Sequence, residues 1–136
     1  MTSRSHIEQA VRALWDARLR GDLDGMMKLL AQDAVYAMNA RGTGDPALTS
    51  PTKGKAAVRK VFRELLDAWQ FENWREVSLL IDGEKAFLHW AACATCVKTT
   101  KSGDFDVFDA FTFRDGAIVD MHESTDTAMI MSLAAV

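Results

Sequence analysis

The 136-residue chain carries 16 Lys and Arg against 19 Asp and Glu, a net charge of −3, with 49% apolar residues. That length suits one domain burying about two thirds of its unfolded surface. The mild, interspersed charge excludes a basic stripe for nucleic acid or a polybasic arm for anionic membrane. No run of about 20 apolar residues is present to span a bilayer. The polar start Met1-Thr2-Ser3-Arg4-Ser5-His6 lacks the apolar core of a secretory signal, so a soluble cytoplasmic protein is expected.

Ser5-x-x-Glu8 reads as a capping box, and Ile7, Val11, Leu14 and Trp15 follow at helical spacing, predicting a helix from about Ser5 to Arg20. Gly21 stops it. Asp22 caps a second, short helix whose Leu23, Met26, Met27 and Leu30 keep the period to near Gln32, and Ala34 to Met38 reads as a short strand. From Ala40 to Lys53, Gly42, Gly44, Pro46 and Pro51 interrupt a stretch with neither period. This is a loop, either filler or a flap over a site. Val58, Val61, Phe62, Leu65 and Trp69 mark a third amphipathic helix from Gly54, expected to be the longest.

Strands follow: Glu72 to Ile81, a turn at Asp82-Gly83, Ala86 to Thr99, a turn at Lys101-Ser102-Gly103-Asp104, Phe105 to Phe113, a hairpin at Arg114-Asp115-Gly116, and Ala117 to Thr125. Helices followed by consecutive antiparallel strands predict an α+β fold with helices on one face of a curved sheet. The tail Thr127 to Leu133 is apolar enough to pack in either form. Cys93 and Cys96 point to opposite faces of a strand, too poorly aimed for a disulfide, and read as two small buried residues.

Alternation along Phe105 to Phe113 places Asp109 on a face otherwise made of Phe105, Val107, Phe111 and Phe113. A carboxylate among apolar groups must be protonated, find a partner or line a cavity. Glu123 interrupts a second apolar face, with Val119, Met121 and Thr125, on the neighbouring strand. The two acids therefore look into one space and form a candidate acid/base pair. His122 falls on the opposite face from Glu123. Tyr36, the only tyrosine, shares a side with Met38 and either donates to a ligand or packs.

The strand Ala86 to Thr99 is apolar on both sides: Phe87, His89, Ala91 and Cys93 on one, Leu88, Trp90, Ala92 and Ala94 on the other. A strand apolar on both faces is covered twice, which predicts a homodimer through the outer sheet face, assigned to Trp90.

The order of elements, Gly21-Asp22-Leu23-Asp24-Gly25, the Gln32-Asp33-Ala34-Val35 strand entry and the Phe113 to Val119 hairpin resemble the nuclear transport factor two-like superfamily. It covers ketosteroid isomerases, SnoaL-like polyketide cyclases and limonene epoxide hydrolases. The resemblance spans nearly the whole chain and implies a cone-shaped barrel of a curved, mostly antiparallel sheet wrapped on three N-terminal helices, usually dimeric. It is weak for activity, because the fold hosts many chemistries.

By that resemblance the isomerases' oxyanion tyrosine falls on Leu14 and their proton-abstracting aspartate on Met38, so the chain is not a standard ketosteroid isomerase. Their hydrogen-bond-donating aspartate falls on Asp109, and Glu123 falls where the cyclases and epoxide hydrolases place a working aspartate. The resemblance does not place the hydrolases' arginine partner on a residue of this chain. The family register implies that Phe87, His89, Ala91 and Cys93 face the pocket. His89 then serves either as an acid or base beside Asp109 and Glu123 or as a core histidine bonded to Asp109.

The candidate catalytic residues are thus Asp109, Glu123 and His89, and the candidate ligand-binding residues Trp15, Met38, Trp69, Phe87, Phe111, Phe113 and Met121, with Trp74 as further wall. No metal signature and no cofactor motif is present. The expected ligand is a small hydrophobic molecule. The expected function is cofactor-independent isomerase, cyclase or hydrolase chemistry on a mostly apolar carbonyl or hydroxyl compound. The alternative is a non-catalytic dimer that binds a hydrophobic ligand or a partner protein.

Overall fold

The computed structural model describes residues 1–40 and 50–136. The expected Ala40 to Lys53 loop lies outside them over 41–49, and with it the choice between flap and filler. Helix α1 (Arg4–Arg20) is capped by Ser3, whose hydroxyl accepts from the His6 N–H at 3.2 Å, two residues ahead of the predicted Ser5 box. The helix buries Ile7, Val11, Leu14, Trp15 and Arg18, and ends where Gly21 takes the left-handed conformation at φ 73°. Asp22 then caps α2 (Leu23–Met27) by accepting the Gly25 N–H at 2.9 Å.

The second helix stops five residues short of the expected end, because Leu30 already joins a ladder. Strand β1 (Leu30–Asn39) pairs with β2 (Thr52–Lys53) on one side and lies parallel to the last strand on the other. Helix α3 (Lys55–Ala68) buries Val58 and Phe62, and at 14 residues it is shorter than the 17 of α1. Strands β3 (Trp69–Asp82), β4 (Lys85–Cys96), β5 (Ser102–Arg114) and β6 (Ala117–Thr125) follow, and the tail forms helix α4 (Thr127–Ala134).

One open, curved sheet results, in the order β2-β1-β6-β5-β4-β3 and antiparallel except between β1 and β6. Helix α1 packs on β3, α3 on β1 and β3, and α4 on β4 and β5. The expected α+β class holds. Gly103 admits α4: a Cβ there would lie 3.3 Å from Met129 Sδ. Among the described residues no helix is long and apolar enough to cross a membrane.

Two irregularities set which side chains face the helices. Asp115 and Gly116 both take positive φ, 50° and 84°, the primed turn that matches strand twist. Just beyond it the β5–β6 register slips between Thr112 and Phe113, so Ile118 is buried where simple alternation predicts Val119. At Asn73 (φ 55°) a second slip lets both Phe71 and Trp74 pack inward.

Strand β4 corrects the sequence reading. Leu88 pairs with Asp109 and Trp90 with Val107, so Leu88, Trp90, Ala92 and Ala94 share the helix-covered face with Asp109. Trp90, assigned to the outer face, is 1% exposed inside. Phe87, assigned to the pocket, is 52% exposed outside.

Candidate functional site

The hairpin register sets Asp109 and Glu123 directly opposite one another, and both are buried. On the far side of β6, the parallel pairing sets Met38 beside Glu123 and Tyr36 beside Met121. Tyr36 reaches along the sheet, and its hydroxyl donates to Glu123 Oε1 at 2.5 Å. The ring sits edge-on to Phe62 at 5.2 Å. Burial, with the charge of Glu123 behind it, pushes the Tyr36 hydroxyl well above the usual phenol range. It stays a donor.

Asp109 is held differently. The Trp90 indole N–H donates to its Oδ2 at 2.9 Å, while Oδ1 is buried and accepts no hydrogen bond. Burial pushes this carboxyl well above the usual carboxylate range. The charge of Glu123 pushes the same way, and the Trp90 N–H only partly opposes them. Burial beside Glu123 thus favours the protonated form of Asp109.

In front of Glu123 lies a cavity of about 90 Å³. Trp15, Trp69, Phe71, Trp90 and Phe105 form its aromatic side, with Met38, Val107 and Ile130 among the other walls. The rings support one another: Trp15 lies 4.5 Å from Trp90 and 5.9 Å from Trp74, and Phe71 meets Trp90 edge-on at 5.1 Å. A smaller space of about 20 Å³ continues past Leu14, Met26, Phe62 and Met121. Among the described residues, Glu123 and Arg18 are the only charged ones that border both spaces.

Arg18 was not singled out in the sequence, although it continues the stripe of Ile7, Val11, Leu14 and Trp15, falling one turn beyond Leu14. It is 8% exposed. Its Nη2 donates to Leu65 O at 3.2 Å and Trp69 O at 2.9 Å, and the guanidinium lies 4.6 Å over the Phe71 ring. Burial pulls its pKa down, against the attraction of Glu123.

The predicted residues divide accordingly. Glu123, Trp15, Met38 and Trp69 line the larger cavity and Met121 the smaller. Asp109 lies behind this lining, not within it, and Phe111 and Phe113 are core, each 1% exposed. His89 is across the sheet from both acids: its Nε2 pairs with Asp106 Oδ1 at 2.7 Å, and its ring stacks on Phe108 at 4.4 Å. The β4 register reverses its expected direction. His89, Asp109 and Glu123 therefore do not converge, and neither Phe87 nor His89 meets the cavity. His122 is exposed.

Helices laid into an open, curved sheet are the architecture of the nuclear transport factor two-like class. Within it, the model of the SnoaL-like domain matches residues 11–121, and the chain belongs to that family. A search of curated protein sequences finds no significant match.

Solved structures share the fold. One from Bacillus subtilis, described as an isomerase, is 14% identical, with a TM-score of 0.86 over 98% of this chain and 95% of that one. A SnoaL-like structure from Jannaschia, described as a polyketide cyclase, is 12% identical, with a TM-score of 0.81 over 100% and 98%. An epoxide hydrolase of Mycobacterium tuberculosis is 20% identical, with a TM-score of 0.74 over 95% and 90%. At these identities the likeness carries the fold and not the reaction.

Proposed function

We propose that the protein is an acid/base enzyme in which Glu123 moves a proton on a small, mostly apolar carbonyl or hydroxyl compound held among Trp15, Trp69, Phe71 and Phe105. The carrying observation is that, among the described residues, Glu123 is the single acid on the lining of an apolar cavity, with Tyr36 donating to it and Asp109 facing it. Tyr36 fixes one carboxylate oxygen by donating to it. Asp109, neutral and facing Glu123, leaves it as the basic member of the pair. The apolar walls supply affinity, and the few polar groups supply orientation.

Neighbours of the same fold described as isomerase, polyketide cyclase and epoxide hydrolase support chemistry of this kind. The decisive experiment is a thermal-shift screen of ketones, lactones and epoxides, followed by turnover of any stabilising compound. Glu123→Gln should abolish that turnover while leaving the protein folded. Full turnover by the variant would sink the proposal.

A homodimer through the outer sheet face belongs to the same proposal, now with Leu80, Phe87 and Phe108 as its apolar centre, exposed by 65%, 52% and 54%.

A further inference from the structure

The hollow that Glu123 faces is shortened by rings. Trp15 of α1, Phe71 and Trp74 of β3 and Trp90 of β4 pack as one cluster. Trp15 lies 4.5 Å from Trp90 and stacks on Trp74 at 5.9 Å, Trp74 lies 6.0 Å from Trp90, and Phe71 meets Trp90 edge-on at 5.1 Å. Strict alternation would send Phe71 and Trp74, three positions apart, to opposite faces of β3. The left-handed Asn73 and the register slip around it turn both inward, so the sheet's hollow receives one ring more than a regular strand supplies. What remains is a cavity of about 90 Å³ and its continuation of about 20 Å³, with Trp15, Leu65 and Glu123 lining both. An apolar cavity of roughly 150 Å³ takes a single benzene molecule. A second ring has no room.

We propose that the substrate is a single aromatic ring bearing a short oxygen-containing branch, and that the cluster of Trp15, Phe71, Trp74 and Trp90 excludes fused and multi-ring compounds. This deepens the function proposed above and rests on its placing of the substrate in this cavity. The ring takes the larger space, where Trp69 and Phe105 stand edge-on to each other at 6.3 Å and Phe71 closes another side. Aromatic walls favour offset-stacked and edge-to-face partners, which a flat ring offers and a saturated one does not. The branch enters the smaller space past Leu14 and Met121. A single water needs roughly 10–15 Å³, so that space accepts about one or two non-hydrogen atoms. Glu123 stands where the two spaces meet, which brings the branch beside the acid. The limit is firm because Trp15 and Trp90 each neighbour the other three rings of the cluster. A bulkier ligand must displace the whole cluster rather than one side chain, in an interior that yields little.

Four neutral alcohols test this one feature at a time, by titration calorimetry on the whole protein. Benzyl alcohol has the proposed shape. Cyclohexylmethanol loses the aromatic ring, 3-phenylpropanol lengthens the branch, and 2-naphthalenemethanol adds a ring. Wild-type protein should bind benzyl alcohol at least roughly tenfold more tightly than each of the other three. Phe71→Ala and Trp15→Ala, which remove members of the cluster, should each bind 2-naphthalenemethanol at least roughly tenfold more tightly than wild type does. No binding of benzyl alcohol, a smaller preference over any of the three, or no gain of the two-ring alcohol in a folded variant would overturn the inference. The wild-type series decides even where a variant does not fold. Ala94→Leu separates this inference from the reading beneath it: benzyl alcohol bound as tightly by that variant as by wild type would place the ligand outside the cavity and remove both. A missing single-ring preference, with turnover abolished in Glu123→Gln, would remove only the size limit.

Discussion

Asp109 and Glu123 face each other across the β5–β6 hairpin, both buried, and only Glu123 borders the cavity. The pair is therefore asymmetric: Glu123 borders the cavity, whereas Asp109 lies behind its lining and accepts from Trp90. Glu123→Gln should lower turnover by roughly 10²–10⁴-fold, the usual worth of a general acid/base, with a melting temperature close to wild type. Steady-state kinetics and a thermal melt check both halves.

Asp109 gives a pH dependence of definite sign. Its folded pKa is raised, so the native state keeps a proton that the unfolded chain has released above about pH 4. Stability must fall as pH rises from there towards the raised value, the reverse of a salt-bridged carboxylate. Asp109→Asn cannot titrate, and its urea midpoint should vary less across that window. An unchanged slope would show that another group holds the proton.

Tyr36→Phe strands Glu123 Oε1 in a buried place. The loss of a donor to a buried charged acceptor should destabilise by about 1–3 kcal/mol, read from urea unfolding, and should also reduce turnover. A variant as stable and active as wild type would mean that Glu123 is fixed by other contacts.

Ala94 lies on the cavity wall and is 2% exposed. In a close-packed core a larger side chain strains its surroundings, but here it has about 90 Å³ to enter. Ala94→Leu should keep the melting temperature and abolish binding of any ligand found by thermal shift. Retained affinity would place the ligand elsewhere.

The outer face makes a separate prediction. Phe108→Glu should convert a dimer to a monomer by light scattering, whereas Trp90→Phe, whose side chain points inward, should leave the mass unchanged. The opposite pattern would restore the interface to Trp90.

The contrast between β5 and β4 explains what the sequence could disclose. On β5 a carboxylate among phenylalanines marks one face, and alternation places Asp109 correctly. On β4 both faces are apolar, so the pattern has no sign, and only pairing of Leu88 with Asp109 decides that Trp90 is inside and His89 outside. The slip near Ile118 and the positive φ at Asn73 are likewise set by tertiary packing. Arg18 was legible in principle, since it extends the apolar stripe of α1, but a basic residue in a last helical turn ordinarily reads as a solvated cap. The end of α2 was misplaced because Leu30 fits helical spacing and strand pairing equally well.

The sheet order carries a consequence for biosynthesis. Strand β6, the last of the sheet's strands to be synthesised, is the one wedged between β1 and β5. Until it arrives, β1 has no long neighbour and Tyr36 has no acceptor 87 positions downstream. The nascent chain thus carries an incomplete centre until β6 emerges, and Tyr36, Asp109 and Glu123 come together only with that strand.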